Sequence, residues 1–192
     1  MNSENLDISK EEKKRHKAII ASRTMLLMQW PAYTVLGLMG ILLPLLGTVD
    51  EVSLVGTILL ITALTQLVIL TKYGVNPGFF WRLCVMIVSF MASGLLLSGL
   101  FSEYFSISQI LGAYLAGTGG YIVIEGRYSF SSRHIESVVY CGYFAGVMGL
   151  MLFTGWPELT WWTPTLALSL YLLALGHTAR VFIYRESTSK EA

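Results

Sequence analysis

Long stretches without a charged residue constrain this chain more than any other feature of its sequence. Six runs of 20 to 26 residues contain no Asp, Glu, Lys or Arg, and they occupy positions 24–49, 52–71, 83–102, 104–124, 137–157 and 159–179. A helix of about 20 residues crosses a hydrocarbon core of about 30 Å. The runs are apolar on all sides, unlike the alternating strands of a membrane barrel. The sequence therefore predicts an all-α membrane protein with six transmembrane helices.

The composition agrees with a chain embedded in lipid. Only 13% of its residues are charged and 54% are apolar, whereas about a quarter of a soluble domain is charged. Thirteen basic residues against twelve acidic ones, with two cysteines, exclude a basic nucleic-acid binder and a disulfide-stapled secreted domain. The expected partner is the lipid bilayer, with no nucleic acid, and the sequence identifies no soluble ligand.

The charges between the runs predict the orientation of the chain. All 13 Lys and Arg lie in the N-terminal tail, around the second and fourth connections, or at the C-terminus. The first, third and fifth connections carry only acids, namely Asp50, Glu51, Glu103 and Glu158. Basic loops resist translocation, so an even number of spans with this pattern predicts that both termini are cytoplasmic.

The domain organisation follows from the same runs. We predict a basic cytoplasmic tail over residues 1–23, a transmembrane domain over 24–185 and a cytoplasmic tail over 186–192. The predicted spans are 24–48, 53–71, 82–102, 105–125, 136–156 and 161–184. Ser9-Lys10-Glu11-Glu12 fits a capping box, so the N-terminal tail is expected to contain a short interfacial helix.

Several landmarks recur about every 55 residues. Gly40, Gly94 and Gly149 are 54 and 55 residues apart, and the basic residues Lys72 and Arg127 are 55 apart. This spacing predicts three tandem helical hairpins that each start and end in the cytoplasm and are related by an axis along the membrane normal. Similar loop lengths would by themselves produce part of the same spacing.

Glycines inside the runs are predicted to let helices approach closely. The candidates are Gly40, Gly94, Gly142, Gly146, Gly149, Gly117 and Gly120. This packing could join helices within one chain or join protomers in a homo-oligomer. The Thr118-Gly119-Gly120 segment of the fourth span could instead mark a hinge or a permeation path.

Polar side chains at the cytoplasmic ends of the runs are the candidate functional residues, because polar groups are costly in a bilayer. Gln66 and His177 are predicted at a similar depth, with Arg180 about one turn below His177. Glu125 and Glu136 border the fourth and fifth spans on the same side. These five residues predict a polar cluster that senses or conducts protons.

Each of these residues also has a structural interpretation. Imidazole changes charge in the pH range that a cell meets during acid stress, but His177 could instead form an interhelical hydrogen bond with Gln66. Arg180 is expected to extend to the lipid headgroups. Glu125 and Glu136 could form surface ion pairs or relay protons.

Patterns of catalytic and metal-binding residues are missing from the sequence, which has no P-loop, no HExxH and no GxSxG. Cys84 and Cys141 lie in apolar runs without the spacing of metal ligands. The chain is therefore expected to be neither an enzyme nor a metal protein, and no cofactor is predicted. An ion-coupled pump is also disfavoured, since no carboxylate lies inside the runs.

Three segments carry a family resemblance. They are Gly37-Leu-Met-Gly-Ile-Leu-Leu-Pro44 after a basic tail, Gly56-Thr-Ile-Leu-Leu-Ile-Thr-Ala-Leu64, and Phe80-Trp81 at the start of the third span. The arrangement resembles the HdeD-type acid-resistance membrane proteins of bacteria, which are small six-span proteins built from two-helix repeats. The resemblance implies a multi-pass protein of the bacterial inner membrane that serves survival of acid stress, with no assigned catalytic residues.

Three functions follow from this reading. The first is an acid-stress protein that alters proton permeability or senses pH. The second is a small-solute or proton permease with a pathway lined by Gln66, Thr62, Tyr121 and His177. The third is a structural partner of another membrane complex. A permease requires a water-accessible cavity, whereas a structural partner requires a closed bundle with an apolar, Gly-rich outer face.

Overall fold

The computed structural model is all-helical in the residues that it describes, which are 27–47, 49–73, 79–99, 105–129, 135–155 and 164–188. Six helices occupy these ranges, as predicted. They are α1 Leu27–Leu45, α2 Glu51–Tyr73, α3 Phe79–Ser98, α4 Ile107–Ser129, α5 Ile135–Thr154 and α6 Pro164–Thr188. The predicted interfacial helix of the N-terminal tail lies outside the described residues.

The lengths and surfaces of the helices suit a membrane. Over the described residues, three stretches are long and apolar enough to cross a bilayer, and they are Leu27–Leu45, Glu51–Lys72 and Ile107–Ile124. Apolar side chains also cover the outside of the bundle, and more than half of each of the following is exposed: Val35, Val68, Met91, Val147 and Leu150. An outer surface of this kind matches hydrocarbon better than water, as expected of a membrane protein.

Local signals at the helix ends explain where several helices begin. Asp50 caps α2, because its Oδ2 accepts hydrogen bonds from Ser53 N at 3.0 Å and Ser53 Oγ at 3.1 Å. Ser106 and Gln109 form a reciprocal capping box at the start of α4, with bonds of 3.0 and 3.2 Å. Pro164 opens α6, where a missing N–H is tolerated.

Three glycines follow the first, third and fifth helices. Gly47, Gly99 and Gly155 have φ values of +65°, +64° and +67°, which glycine adopts without strain and other residues rarely do. α1, α3 and α5 therefore end in the same way, each just before a connection that carries acidic residues in the sequence.

The helices form an antiparallel bundle in which neighbours in sequence do not all pack equally well. Among α2 to α6, the closest pairs are α2–α3 and α4–α5, whereas α3–α4 and α5–α6 are looser. The predicted hairpins would join α3 to α4 and α5 to α6. The tightest packing among these five helices therefore lies between the predicted hairpins rather than within them.

Glycines explain why α4 and α5 approach so closely. Gly112 and Gly119 on α4 are seven residues apart, and they face Gly142 and Gly149 on α5, which are also seven apart. A Cβ at Gly112 would lie 2.6 Å from Phe153 N, and a Cβ at Gly142 would lie 2.8 Å from Gly119 O. Backbone meets backbone at these points, so a side chain there would force the helices apart.

A second glycine contact joins α1 to α6. A Cβ at Gly37 would lie 2.9 Å from Ser169 O, and one at Gly176 would lie 2.7 Å from Thr34 Oγ1. Gly40 faces the hydroxyl of Ser169 in the same contact. The first and last helices of the chain therefore pack side by side.

The remaining predicted packing glycines take different positions. Gly146 provides the backbone that faces Gly119, although a Cβ on Gly146 itself would meet nothing within 4 Å. Three others turn away from the neighbouring helices, and a Cβ on any of them would also meet nothing within 4 Å. They are Gly94, Gly117 and Gly120.

Candidate functional site

Three buried tyrosines from different helices meet inside the bundle. Tyr33 on α1, Tyr114 on α4 and Tyr171 on α6 are 5%, 3% and 2% exposed, respectively, and they lie within electrostatic range of one another. A tyrosine ring fills apolar space, but its buried hydroxyl requires a hydrogen-bond partner. We call the three tyrosines and their neighbours the tyrosine cluster, which comprises Tyr33, Gln66, Ser89, Tyr114, Thr118, Cys141 and Tyr171.

The first link of the tyrosine cluster joins α1 to α2. Gln66 Nε2 donates a hydrogen bond to the hydroxyl of Tyr33, and the Gln66 side chain is only 8% exposed. Gln66 Oε1 is the one buried side-chain polar atom in the described residues that has no hydrogen-bond partner. A buried acceptor without a partner costs about 1–3 kcal/mol, so this oxygen requires an explanation.

The second link joins α3 to α4. Ser89 Oγ lies 3.1 Å from the Tyr114 hydroxyl and donates its own proton to Val85 O at 2.8 Å. A serine hydroxyl carries a single proton, so Tyr114 is the donor to Ser89. One turn further along α3, Ser93 Oγ donates to Gly56 O of α2 at 2.8 Å.

The third part of the tyrosine cluster involves α4, α5 and α6. The Tyr171 hydroxyl faces the side chain of Thr118, whose own proton goes to Tyr114 O at 2.8 Å. The buried free thiol of Cys141 on α5 lies near Tyr171 and Thr178. All six helices therefore contribute a side chain to the cluster.

Completely buried leucines lie before and after the tyrosine cluster along the helices. Leu59, Leu111 and Leu168, which we call the leucine layer, precede Gln66, Tyr114 and Tyr171 on α2, α4 and α6, whereas the equally buried Leu115 and Leu172 follow Tyr114 and Tyr171. These helices begin at the end of the bundle where Asp50 and Glu51 lie, which we call the acidic end. The other end carries Lys72 and Arg82, and we call it the basic end. The cluster thus lies on the basic side of the leucine layer.

A carboxylate reinforces the acidic end. Glu51 Oε1 accepts hydrogen bonds from the Thr165 backbone N at 3.2 Å and from Thr165 Oγ1 at 2.8 Å. Negative charge at the N-terminus of a helix is favourable because the helix dipole is positive there. Asp50 caps its own helix, whereas the adjacent Glu51 caps α6 and connects it to α2.

The structure separates the residues that the sequence placed in one polar cluster. Gln66 lies in the bundle interior, whereas His177 is exposed on α6. The Gln66 amide pairs with Tyr33 and its Oε1 has no partner, so no hydrogen bond joins Gln66 to His177. Arg180 is also exposed, with its guanidinium carbon 6.0 Å from the centre of the Trp30 ring, a cation–π contact between α6 and α1.

The structure describes only some of the other predicted side chains. The side chains of Glu125 and Glu136, at the ends of α4 and α5, lie outside the described ones. Thr62 donates to Ile58 O of its own helix at 2.8 Å, and Tyr121 is half-buried.

Tyr33, Tyr114 and Tyr171 were not singled out from the sequence. Their signal is a tyrosine in the middle of an apolar run, away from the interfaces where aromatic anchors usually lie.

A separate apolar groove opens between α3 and α4, the loosely packed pair. It has a volume of about 340 Å³ and is lined by side chains that include Met91, Leu95, Ile110 and Phe153. Tyr114 also lines the groove, so one member of the tyrosine cluster is shared between the bundle interior and this lateral recess.

The tyrosine cluster can do chemistry of only a limited kind. It offers hydroxyls, one amide and one thiol, which can exchange hydrogen bonds with a small polar molecule or with one another. In comparison with known proteins, the chain matches no family model, no curated protein and no solved structure. Its function is therefore inferred from its own residues.

Proposed function

We propose that this chain crosses the bacterial inner membrane six times and that both of its termini are cytoplasmic. Support comes from the six uncharged runs of the sequence, from the three described helices that are long and apolar enough to span a bilayer, and from the distribution of charge along α2, which begins with Glu51 and ends near Lys72. Arg82 near the start of α3 lies at the same end as Lys72. By the positive-inside rule, this basic end faces the cytoplasm.

Within this topology, the protein serves survival of acid stress, in keeping with its resemblance to HdeD-type proteins, and it acts through the tyrosine cluster. The acid-stress role rests on the resemblance, whereas the observation that carries the assignment to the tyrosine cluster is Gln66, a buried amide in an apolar bundle whose Oε1 has no partner among the described residues. Costly polar groups inside a membrane protein usually have a function. The polar groups of the cluster lie on the cytoplasmic side of the leucine layer. We assign the binding or transfer of protons, or of a small polar solute, to these groups.

Complementation of a deletion strain tests both parts of this proposal. Survival is measured after a shift to strongly acidic medium, with the wild-type protein and the variants Tyr33→Phe, Gln66→Leu and His177→Gln at equal membrane abundance. We expect the wild type to restore survival and the two cluster variants to fail. Thr57→Ser provides a control on the exposed surface of α2.

The possible results separate the two parts. If the deletion strain survives as well as its parent, the acid-stress role is refuted. If the deletion is sensitive but both cluster variants restore survival fully, the assignment to the tyrosine cluster is refuted. If His177→Gln is the one variant that fails to restore survival, the functional group lies on the exposed face of α6 and not in the tyrosine cluster.

A second function, structural partner of another membrane complex or of a second copy of this chain, is favoured by a different observation. Gly94, Gly117 and Gly120 face outward, where small residues would let another helix approach closely. Gly117 and Gly120 are exposed and a Cβ on either meets nothing within 4 Å, so replacing one of them by Leu adds bulk on the outer face of α4. Loss of cross-linked complexes in native membranes, with the monomer still folded, would support this function.

A further inference from the structure

We propose that Gln66 and Tyr33 hold a water molecule inside the bundle, so that the tyrosine cluster is a hydrated site. This inference rests on the proposed function only in taking the cluster as the place of action. It adds a ligand, water, and two binding residues. Both residues lie among the buried side chains, on the basic side of the leucine layer.

The donors and acceptors of Gln66 and Tyr33 are not all matched within the described part of the protein. Gln66 donates through Nε2 to the Tyr33 hydroxyl, so Tyr33 retains its own proton for an acceptor. Gln66 Oε1 needs a donor, and no described side chain or backbone group supplies one. Turning the amide by 180° would exchange which end lacks a partner without removing the need for one. The pair therefore offers an acceptor and a donor side by side.

Water matches this pair better than other ligands do. It is the smallest molecule that both donates and accepts, and buried waters typically bridge polar groups that the protein leaves unpaired. The Arg82 side chain lies within electrostatic range of Tyr33, so a cation is disfavoured beside it.

Introduced cysteines can test whether position 66 is wet. Thr62, Gln66 and Leu70 lie at four-residue intervals on one face of α2, and they are 3%, 8% and 8% exposed, respectively. The experiment places Thr62→Cys, Gln66→Cys and Leu70→Cys singly in full-length protein with Cys84→Ser and Cys141→Ser. Gln66→Cys removes one binding residue and keeps the other, so it tests whether water lies beside the Tyr33 hydroxyl. Membrane vesicles are treated with methyl methanethiosulfonate, and the unreacted thiol is measured by mass spectrometry. The thiolate is the reacting form, and apolar surroundings suppress it.

The expected order of rates distinguishes water from depth alone. We expect the thiol at position 66 to react at least tenfold faster than those at positions 62 and 70. Position 70 is closer to the basic end and position 62 is further from it, so a rate governed only by distance from the membrane surface would fall in the order 70, 66, 62. That order, or equal rates at all three positions, would overturn the proposal.

The native cysteines provide a second test that needs no introduced cysteine. In the wild-type chain, Cys141 lies near Tyr171 in the tyrosine cluster, whereas Cys84 lies on α3. We expect Gln66→Leu, which removes the unpaired acceptor, to slow the labelling of Cys141 severalfold and to leave Cys84 unchanged; an unchanged rate at Cys141 would contradict hydration of the cluster. The labelling experiments are independent of acid stress. If position 66 is wet but the deletion strain survives acid as well as its parent, the proposed function is refuted and the water site is retained.

Discussion

Two adjacent glycines of α4 provide a direct test of the helix packing. Gly119 faces the backbone of α5, and a Cβ there would lie 2.6 Å from Gly142 O. Gly120 faces away, and a Cβ there would meet nothing within 4 Å. We therefore expect Gly119→Ala and Gly120→Ala to have opposite effects on the free energy of unfolding, although they change neighbouring residues in the same way.

The size of the expected change in the free energy of unfolding follows from the distances between the added Cβ atoms and α5. A carbon and an oxygen need about 3.4 Å, so Gly119→Ala would separate the helices locally by about 0.8 Å, and a gap of 0.5–1 Å forfeits a quarter to a half of each dispersion contact. Overpacking of this kind costs about 1–3 kcal/mol. At Gly120, Ala should instead stabilise the helix by about 0.5–1 kcal/mol. The two variants should therefore differ by about 1.5–4 kcal/mol.

Unfolding in mixed micelles, with increasing SDS and tryptophan fluorescence as the signal, measures this difference. The wild-type chain and both variants are compared at one protein concentration, so that any association affects them equally. If Gly119→Ala is as stable as Gly120→Ala, the two helices do not touch backbone to backbone, and the close α4–α5 contact is refuted.

Two further predictions concern the hydrogen bonds between helices. Glu51→Ala should destabilise the bundle by about 1–2 kcal/mol, because Thr165 at the start of α6 loses its acceptor. Glu51→Gln keeps an acceptor oxygen and should lower the stability less. If both variants lower the stability equally in detergent melting, the hydrogen bonds to Thr165 contribute nothing beyond the charge of Glu51. Ser93→Ala should cost about 0.5–1.5 kcal/mol in the same assay, since its bond to Gly56 O joins α3 to α2. Ser98→Ala at the exposed end of α3 is the control, and an effect as large as that of Ser93→Ala would contradict the assignment.

The number of helices was predictable because each one leaves a direct signal in the chain. An uncharged run of 20 or more residues needs no tertiary context to be recognised as a buried or membrane-embedded helix. Some helix ends also have local causes, since Asp50 and Pro164 act on the backbone next to them, but the predicted spans differ from the observed helices by up to four residues at their ends. Gly47 likewise ends α1 through its own backbone conformation.

The candidate site was only partly predictable. Gln66 stood out because an amide is rare in an apolar run, and the structure places it in the interior. Tyr33 did not stand out, because tyrosine is equally at home in a core and at a membrane interface. His177 is as polar as Gln66, but it lies on the exposed side of α6, and nothing in the run around it distinguishes the two sides.

The sequence by itself thus determined the all-helical architecture and the positions of the six helices, because these depend on local composition. Only the tertiary structure decided which faces meet, and hence that Gly119 packs against α5 while Gly120 faces outward. The physical reason is that a helix in such a chain is apolar all round. The faces toward the core and toward the surroundings therefore have similar compositions, and only close packing and the pairing of a few polar groups, such as Gln66 with Tyr33, distinguish them.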